Sequence, residues 1–404
     1  MRLLFAITST IVLLCACSGG EGPTNPPDTL SNESASPALS PSLQNSSPLS
    51  APKGQSDGRV RSVVVYTSSN GAYRNKVISF VSRGGALRYG QSFDTGGLGD
   101  PSVAGTVQGS IATSADNRFL FVVDAGSNEI TSFRVEPGGL QFVGRVASRG
   151  AQPISLTVHR NLLFVLNAES SSIAGFRITR NGVLRAIPNS IASLSGSGVG
   201  PAEISFDGSG QVLVVTEKAT NNIDTYSVAK GIPTGPTVHA SSGMTPFGFA
   251  FVPNGETVVV SEAFGGTSGE GAASSYGVSP PDTLTPISAS VPDYNTAPCW
   301  VVITRNGAIA FSSNTASSTI SAYAIDAQGQ LTLTTSDGIS AHTGDGPTDL
   351  ALGPSDRTFF VVNLKSRMIG VYAVSAGGKL VKLGDARGLP VSALGLVAMP
   401  TRND

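Results

Sequence analysis

The chain has 404 residues, of which only 13% are charged, and its net charge is −1. With no Lys/Arg run or basic stripe, it lacks the electrostatic footprint of a nucleic-acid binder. Beyond the N-terminus no apolar stretch is long enough to span a bilayer. Only three cysteines occur, Cys15, Cys17 and Cys299, and two sit near the N-terminus, which excludes an internal disulfide framework.

The chain opens with Arg2 and an apolar run from Leu3 to Leu14, the length of a signal-peptide core rather than a spanning helix. Leu14-Cys15-Ala16-Cys17 follows and resembles the bacterial lipobox. The resemblance implies a lipoprotein signal peptide over residues 1–16. It also implies a diacylglycerol on Cys17, and hence export and a lipid anchor in the cell envelope, since several acyl chains hold where one does not. Ser18 rather than Asp after the cysteine resembles outer-membrane sorting in a diderm cell. Residues 17–60 are dominated by Ser, Pro, Asn and Gly. Such a segment cannot bury a core and is expected to be a disordered tether.

From Arg61 a unit recurs about every 49 residues, within the range of propeller blades. Its first signature is an apolar strand ending in a polar residue: SVVVYT, FLFVVD, LLFVLN, VLVVTE, TVVVSE, IAFSSN and FFVVN. A second strand carries one aromatic in each copy: Phe80, Phe133, Phe176, Tyr226, Tyr276, Tyr323 and Tyr372. A turn and a Leu usually follow, and a Pro-led strand precedes most units, at Pro153, Pro201, Pro246, Pro298 and Pro347. Four strands per unit and seven units predict an all-β fold over residues 61–404, a seven-bladed β-propeller with four-stranded blades. The first unit lacks its inner strand, while Ala393–Pro400 has an inner-strand pattern with no blade after it. The C-terminal strand is therefore expected to close the first blade, which removes the open sheet edges.

Repeat symmetry places the last polar residue of the second strand at one height around the axis: Thr67, Asp124, Asn167, Glu217, Glu262, Asn314 and Asn363. Asn and Asp cap turns there, whereas Glu is a methylene too long to do so well. Glu217 and Glu262, in neighbouring blades, break the pattern alike. They read either as a paired-carboxylate site for acid–base work or as two solvated or structural glutamates. Lys218, Asn167, Asp349 and Trp300 are candidate substrate contacts on the same face, and His342 is the one histidine placed to act as a base. Each has a plainer reading: surface charge for Lys218, a turn cap for Asn167, a blade-to-blade bond for Asp349, core packing for Trp300 and a solvated loop for His342. Cys299 reads as a small buried hydrophobe. No His/Cys spacing suggests a metal, and no cofactor is expected.

Val214–Asn221, Pro246–Phe251, Val260–Ala263 and Ala297–Val302 resemble the seven-bladed lactonase-like family, which includes 6-phosphogluconolactonases and carboxymuconate-cyclase-type enzymes. The resemblance covers roughly residues 60–400. It implies a hydrolase that uses His, Arg and Glu on one face of the ring. Glu217 matches the family's acid, while the His and Arg have no matching position. Two functions follow: a monomeric envelope lipoprotein hydrolysing a small lactone, or a non-catalytic propeller binding protein or carbohydrate at the cell surface.

Overall fold

The computed structural model describes residues 62–83 and 86–402. The expected signal peptide, Cys17 and the tether lie outside the described residues.

Seven antiparallel sheets surround one axis. Blades two to seven begin with an inner strand at Ile111, Pro153, Pro201, Pro246, Pro298 and Pro347 and run outward in chain order. Blade one is assembled from both ends: its order is Ala86–Asp94, Lys76–Arg83, Val63–Ser68, and then Leu394–Pro400 as the inner strand. The closing strand pairs Val63 with Pro400 and Val65 with Ala398. The closure expected from the sequence is what the fold uses.

The second strand of most blades reads as a near-continuous apolar run, rich in β-branched and aromatic residues, because both of its faces are covered by neighbouring blades; blade six instead buries Ser312 and Ser313 there. Phe119–Asp124, Val212–Glu217 and Thr257–Glu262 are buried along their whole length. The seven repeat aromatics are each at most 1% exposed. Four of them are tyrosines whose hydroxyls tie each blade to the preceding one. Tyr226 Oη donates to Ser193 O at 2.8 Å, Tyr323 Oη to Val291 O at 3.4 Å and Tyr372 Oη to His342 O at 3.0 Å. Tyr276 Oη accepts from Ser242 N at 2.8 Å. A buried phenol needs such a partner, and here the partner lies at the blade boundary.

The outer strand is continuous in most blades but interrupted in blades three and six, where Leu184–Ala186 and Ala192–Ser193, and Leu331–Leu333 and Ala341–His342, form two short pieces. In blade three, Ser190 Oγ donates to Ile187 O at 2.7 Å and accepts from Gly175 N at 3.0 Å, replacing part of the lost ladder.

Candidate functional site

The ring of strand-end residues predicted from the repeats exists, and all seven members are 0% exposed. The connection arriving from the previous outer strand lies directly over each one. At Gly97, Gly150 and Gly243 an added Cβ would collide with Asp124, Asn167 or Glu262, so glycine is what lets these connections close.

Each acid of the ring is occupied by its own set of donors. Glu217 accepts Ser195 N at 3.1 Å, Ser195 Oγ at 2.6 Å and Thr220 Oγ1 at 2.7 Å. Glu262 accepts Gly243 N at 2.8 Å and the hydroxyls of Ser274 and Ser290, both at 2.5 Å. The two share no hydrogen-bond partner and neither reaches solvent. The structure thus does not bring Glu217 and Glu262 together as a paired-carboxylate site. Their extra methylene serves to reach the overlying connection and hold it.

A carboxyl pair does exist, inside blade four. Asp224 is fully buried and accepts Ser195 N at 2.9 Å, the same N–H that Glu217 accepts at 3.1 Å. Burial, and then the neighbouring Glu217, raise its pKa far above the usual carboxylate range. The sequence signal was present: two residues before the repeat aromatic, the other blades carry Ile78, Thr131, Ala174, Ser274, Ser321 and Gly370. Only blade four has an acid there.

The remaining candidates are distributed as follows. Asn167 is buried, and neither polar atom of its side chain has a hydrogen-bond partner among the described residues. His342 is exposed at the outer edge of blade six, where its carbonyl receives Tyr372. It is separated from the hub by the width of a blade, so it is not grouped with Glu217 or Glu262. Lys218, Trp300 and Asp349 do converge, at the hub.

The hub is closed by residues 99–110, the connection from blade one to blade two. Gln152 Nε2 donates to Asp100 Oδ2 at 2.8 Å. Lys218 Nζ donates to Thr106 O at 2.5 Å and lies 4.7 Å from the Phe247 ring centroid. Trp300 Nε1 donates to Val107 O at 3.0 Å, and Val107 is buried. Gln108 acts as a key. Its amide N–H donates to Ala202 O at 3.1 Å, and its side chain exchanges bonds with Val301 N at 2.9 Å and Val301 O at 3.0 Å. Gly248 leaves room for it, since a Cβ there would strike Gln108 Oε1. The segment therefore hydrogen-bonds to blades three, four, five and six at once.

Below it lie two more buried acids. Glu203 accepts Phe249 N at 2.7 Å, and burial raises its pKa well above normal, with Asp349 adding to the rise. Asp349 accepts Gly395 N of blade one at 3.0 Å, the blade-to-blade bond that was one of its two readings. Burial pushes its carboxyl up to about 7. An aspartate in the unfolded chain titrates near 3.9. Between these values the folded chain holds a proton that the unfolded chain has lost, so this contribution is full below about pH 4 and fades as pH rises through 7. Asp349→Asn keeps an acceptor for Gly395. Urea denaturation is expected to show the variant gaining on wild type from pH 5 to pH 8, by up to ~3 kcal/mol. A difference that is constant over that range contradicts the assignment.

Among the described residues no three His, Cys, Asp or Glu side chains gather so as to hold a metal ion. Cys299 is buried beside Trp300, and its thiol points to Ala297 O at 3.2 Å.

Comparison with known proteins agrees with the architecture. Structurally similar proteins include a proposed 6-phosphogluconolactonase from Bacteroides fragilis, 17% identical, with 85% of this chain and 99% of that one covered and a TM-score of 0.66. A periplasmic gluconolactonase from Pseudomonas aeruginosa is 18% identical over 85% and 99% of the two chains, at a TM-score of 0.64. A protein from Lactobacillus plantarum is 18% identical over 84% and 99%, at 0.66. A search of curated proteins found no significant sequence match. The family model described as lactonase, seven-bladed β-propeller, matches residues 73–199 and 277–393, more than half of the chain. The chain therefore belongs to the seven-bladed β-propeller lactonase family.

Proposed function

We propose that this protein is an envelope-anchored lipoprotein whose lactonase-type propeller serves as a binding module rather than as a hydrolase. The observation that carries this reading is the sealed hub. The hub acids Glu203 and Asp349 are buried and bonded to backbone amides, Glu217 and Glu262 are held by the connections above them, and residues 99–110 lie across the hub. Catalytic carboxylates need access to the proton they move. By contrast, the ring face carries exposed apolar side chains on its connections: Tyr73, Leu98, Met244, Tyr294 and Val391. Tyr and Met are enriched where proteins meet partners. The lipobox reading of Cys17 would hold this module at the membrane on a long tether, and a partner protein or glycan would dock across the face.

Lactone hydrolysis is the second reading, favoured by family membership and by Asp349, a carboxyl titrating near neutrality beside Glu203. It requires residues 99–110 to withdraw. The purified protein, incubated with a panel of γ- and δ-lactones, is expected to show only the background rate. Changing Tyr73, Met244 and Tyr294 to Ser is expected to leave melting unchanged and to abolish recovery of a specific envelope partner after cross-linking. Lactone turnover above background that Asp349→Asn abolishes would replace the binding assignment with the hydrolytic one.

A further inference from the structure

On the opposite face, a cleft of about 370 Å³ opens between blades two and three. Its walls are the turn Ser114–Phe119 of blade two and two turns of blade three, around Arg160 and Arg180. Three guanidinium-bearing residues, Arg118, Arg160 and Arg180, line it, against one carboxylate, Asp116. That carboxylate is already engaged: it accepts Ser114 Oγ at 2.7 Å and Arg118 N at 3.1 Å, and lies 4.0 Å from Arg118 Nε. No salt bridge holds Arg160 or Arg180 among the described residues. The floor is apolar, made of Phe119 and Ile178, both buried. Gly182 presses the turn bearing Arg180 onto the Phe119 ring, because a Cβ there would meet the ring edge.

Two comparisons within the molecule separate this cluster from ordinary surface charge. The fold builds a second cleft on the same face, beside blades four, five and six, lined by Asp207, Asn254, Glu256 and Gln328 and by no cation. Blade geometry therefore does not require arginines in such a cleft. Second, Arg160 sits at φ 53°, in the left-handed region. The corresponding turns of five other blades place Asn117, Gly210, Gly255, Gly307 and Asp356 at their left-handed position, residues that tolerate it. Blade three carries a long cationic side chain where the backbone disfavours one. Arg149, Lys230 and Arg367 also sit at positive φ elsewhere in the chain, so what marks Arg160 is the comparison among these turns and not the strain itself.

We propose that this cleft is an anion-binding site for a small phosphate-bearing ligand, gripped by Arg118, Arg160 and Arg180 with its organic part against Phe119 and Ile178. Guanidinium groups from separate turns match a phosphate dianion, whose several oxygens accept paired N–H bonds from different directions. The volume suits a compact ligand, being near the lower end of small-molecule sites. The inference is independent of what the ring face binds.

Isothermal titration of inorganic phosphate into the full chain in detergent, in low-salt chloride buffer, tests it. Wild type is expected to bind, and Arg160→Gly and Arg180→Gln each to weaken binding by at least about tenfold. Arg305→Gln, on blade six, is expected to bind as wild type does. Arg160→Gly is also expected to melt no lower than wild type, since glycine fits φ 53° without strain. No heat of binding, or equal affinity in Arg160→Gly and wild type, overturns the proposal. Phosphatidylglycerol vesicles form the second arm. If they capture wild type but not Arg180→Gln while inorganic phosphate gives no heat, the cleft reads a lipid headgroup and the free-ligand assignment fails.

Discussion

Removing residues 390–404 is expected to abolish cooperative folding. The lost strand is the inner strand of blade one, and it supplies more than one edge. Leu394 and Met399 are each 1% exposed and Leu396 7%, so roughly 2 kcal/mol of apolar burial goes with each. The ladder with Val63–Ser68 goes with them, as do the bond from Gly395 N to Asp349 and that from Ser392 Oγ to Ser69 O at 2.8 Å. Asp349 would then be left buried without its donor. These losses fall within the total stability of an ordinary domain, about 5–15 kcal/mol. They also open a ring in which no blade buries both of its faces alone. Circular dichroism melts and gel filtration of the truncated chain check this. A soluble truncation with a sharp transition would contradict tail-to-head closure.

Trp300→Ala is expected to be the most damaging single substitution at the hub, at about 3–5 kcal/mol for the cavity alone. Trp300 is 0% exposed, its ring centroid lies 5.2 Å from that of Phe247, and its indole N–H is the donor for Val107 O. Its removal empties the space under residues 99–110 and orphans a buried carbonyl, which adds a further cost of about 1–3 kcal/mol. Trp300→Phe should retain most of the packing and lose the hydrogen bond. It is therefore expected to fall between wild type and Ala in urea denaturation. If both substitutions cost less than about 1 kcal/mol, Trp300 does not anchor the segment.

The seven units, their aromatics and the closing strand were legible in the sequence because each is a local pattern repeated at a fixed period. The ring of strand-end residues was legible for the same reason. Its chemistry was not, because burial of Glu217 and Glu262 depends on connections whose path no periodicity reveals. Asp224 is legible by the same repeat symmetry one strand further on, as the only acid two residues before a repeat aromatic. Glu203 was also within reach. The third residues of the Pro-led inner strands are Ser155, Glu203, Gly248, Trp300 and Asp349, and these point to the hub as a set. The role of residues 99–110 was hidden, since in sequence they are a polar, glycine-rich connection like any other. The arginine cleft was hidden more deeply. Arg118, Arg160 and Arg180 are far apart in a chain with no basic run, and only blade stacking brings their turns together.

Whether the hub is sealed decides between the two functional readings, and amide hydrogen exchange across residues 99–110 addresses it directly. The Gln108 amide, bonded to Ala202 O inside the ring, is expected to exchange nearly as slowly as the second-strand amides of blade four. Exchange at Gln108 as fast as in the exposed turn at Gly265–Gly269 would mean that the segment leaves the hub readily, and would contradict the closed binding module described here.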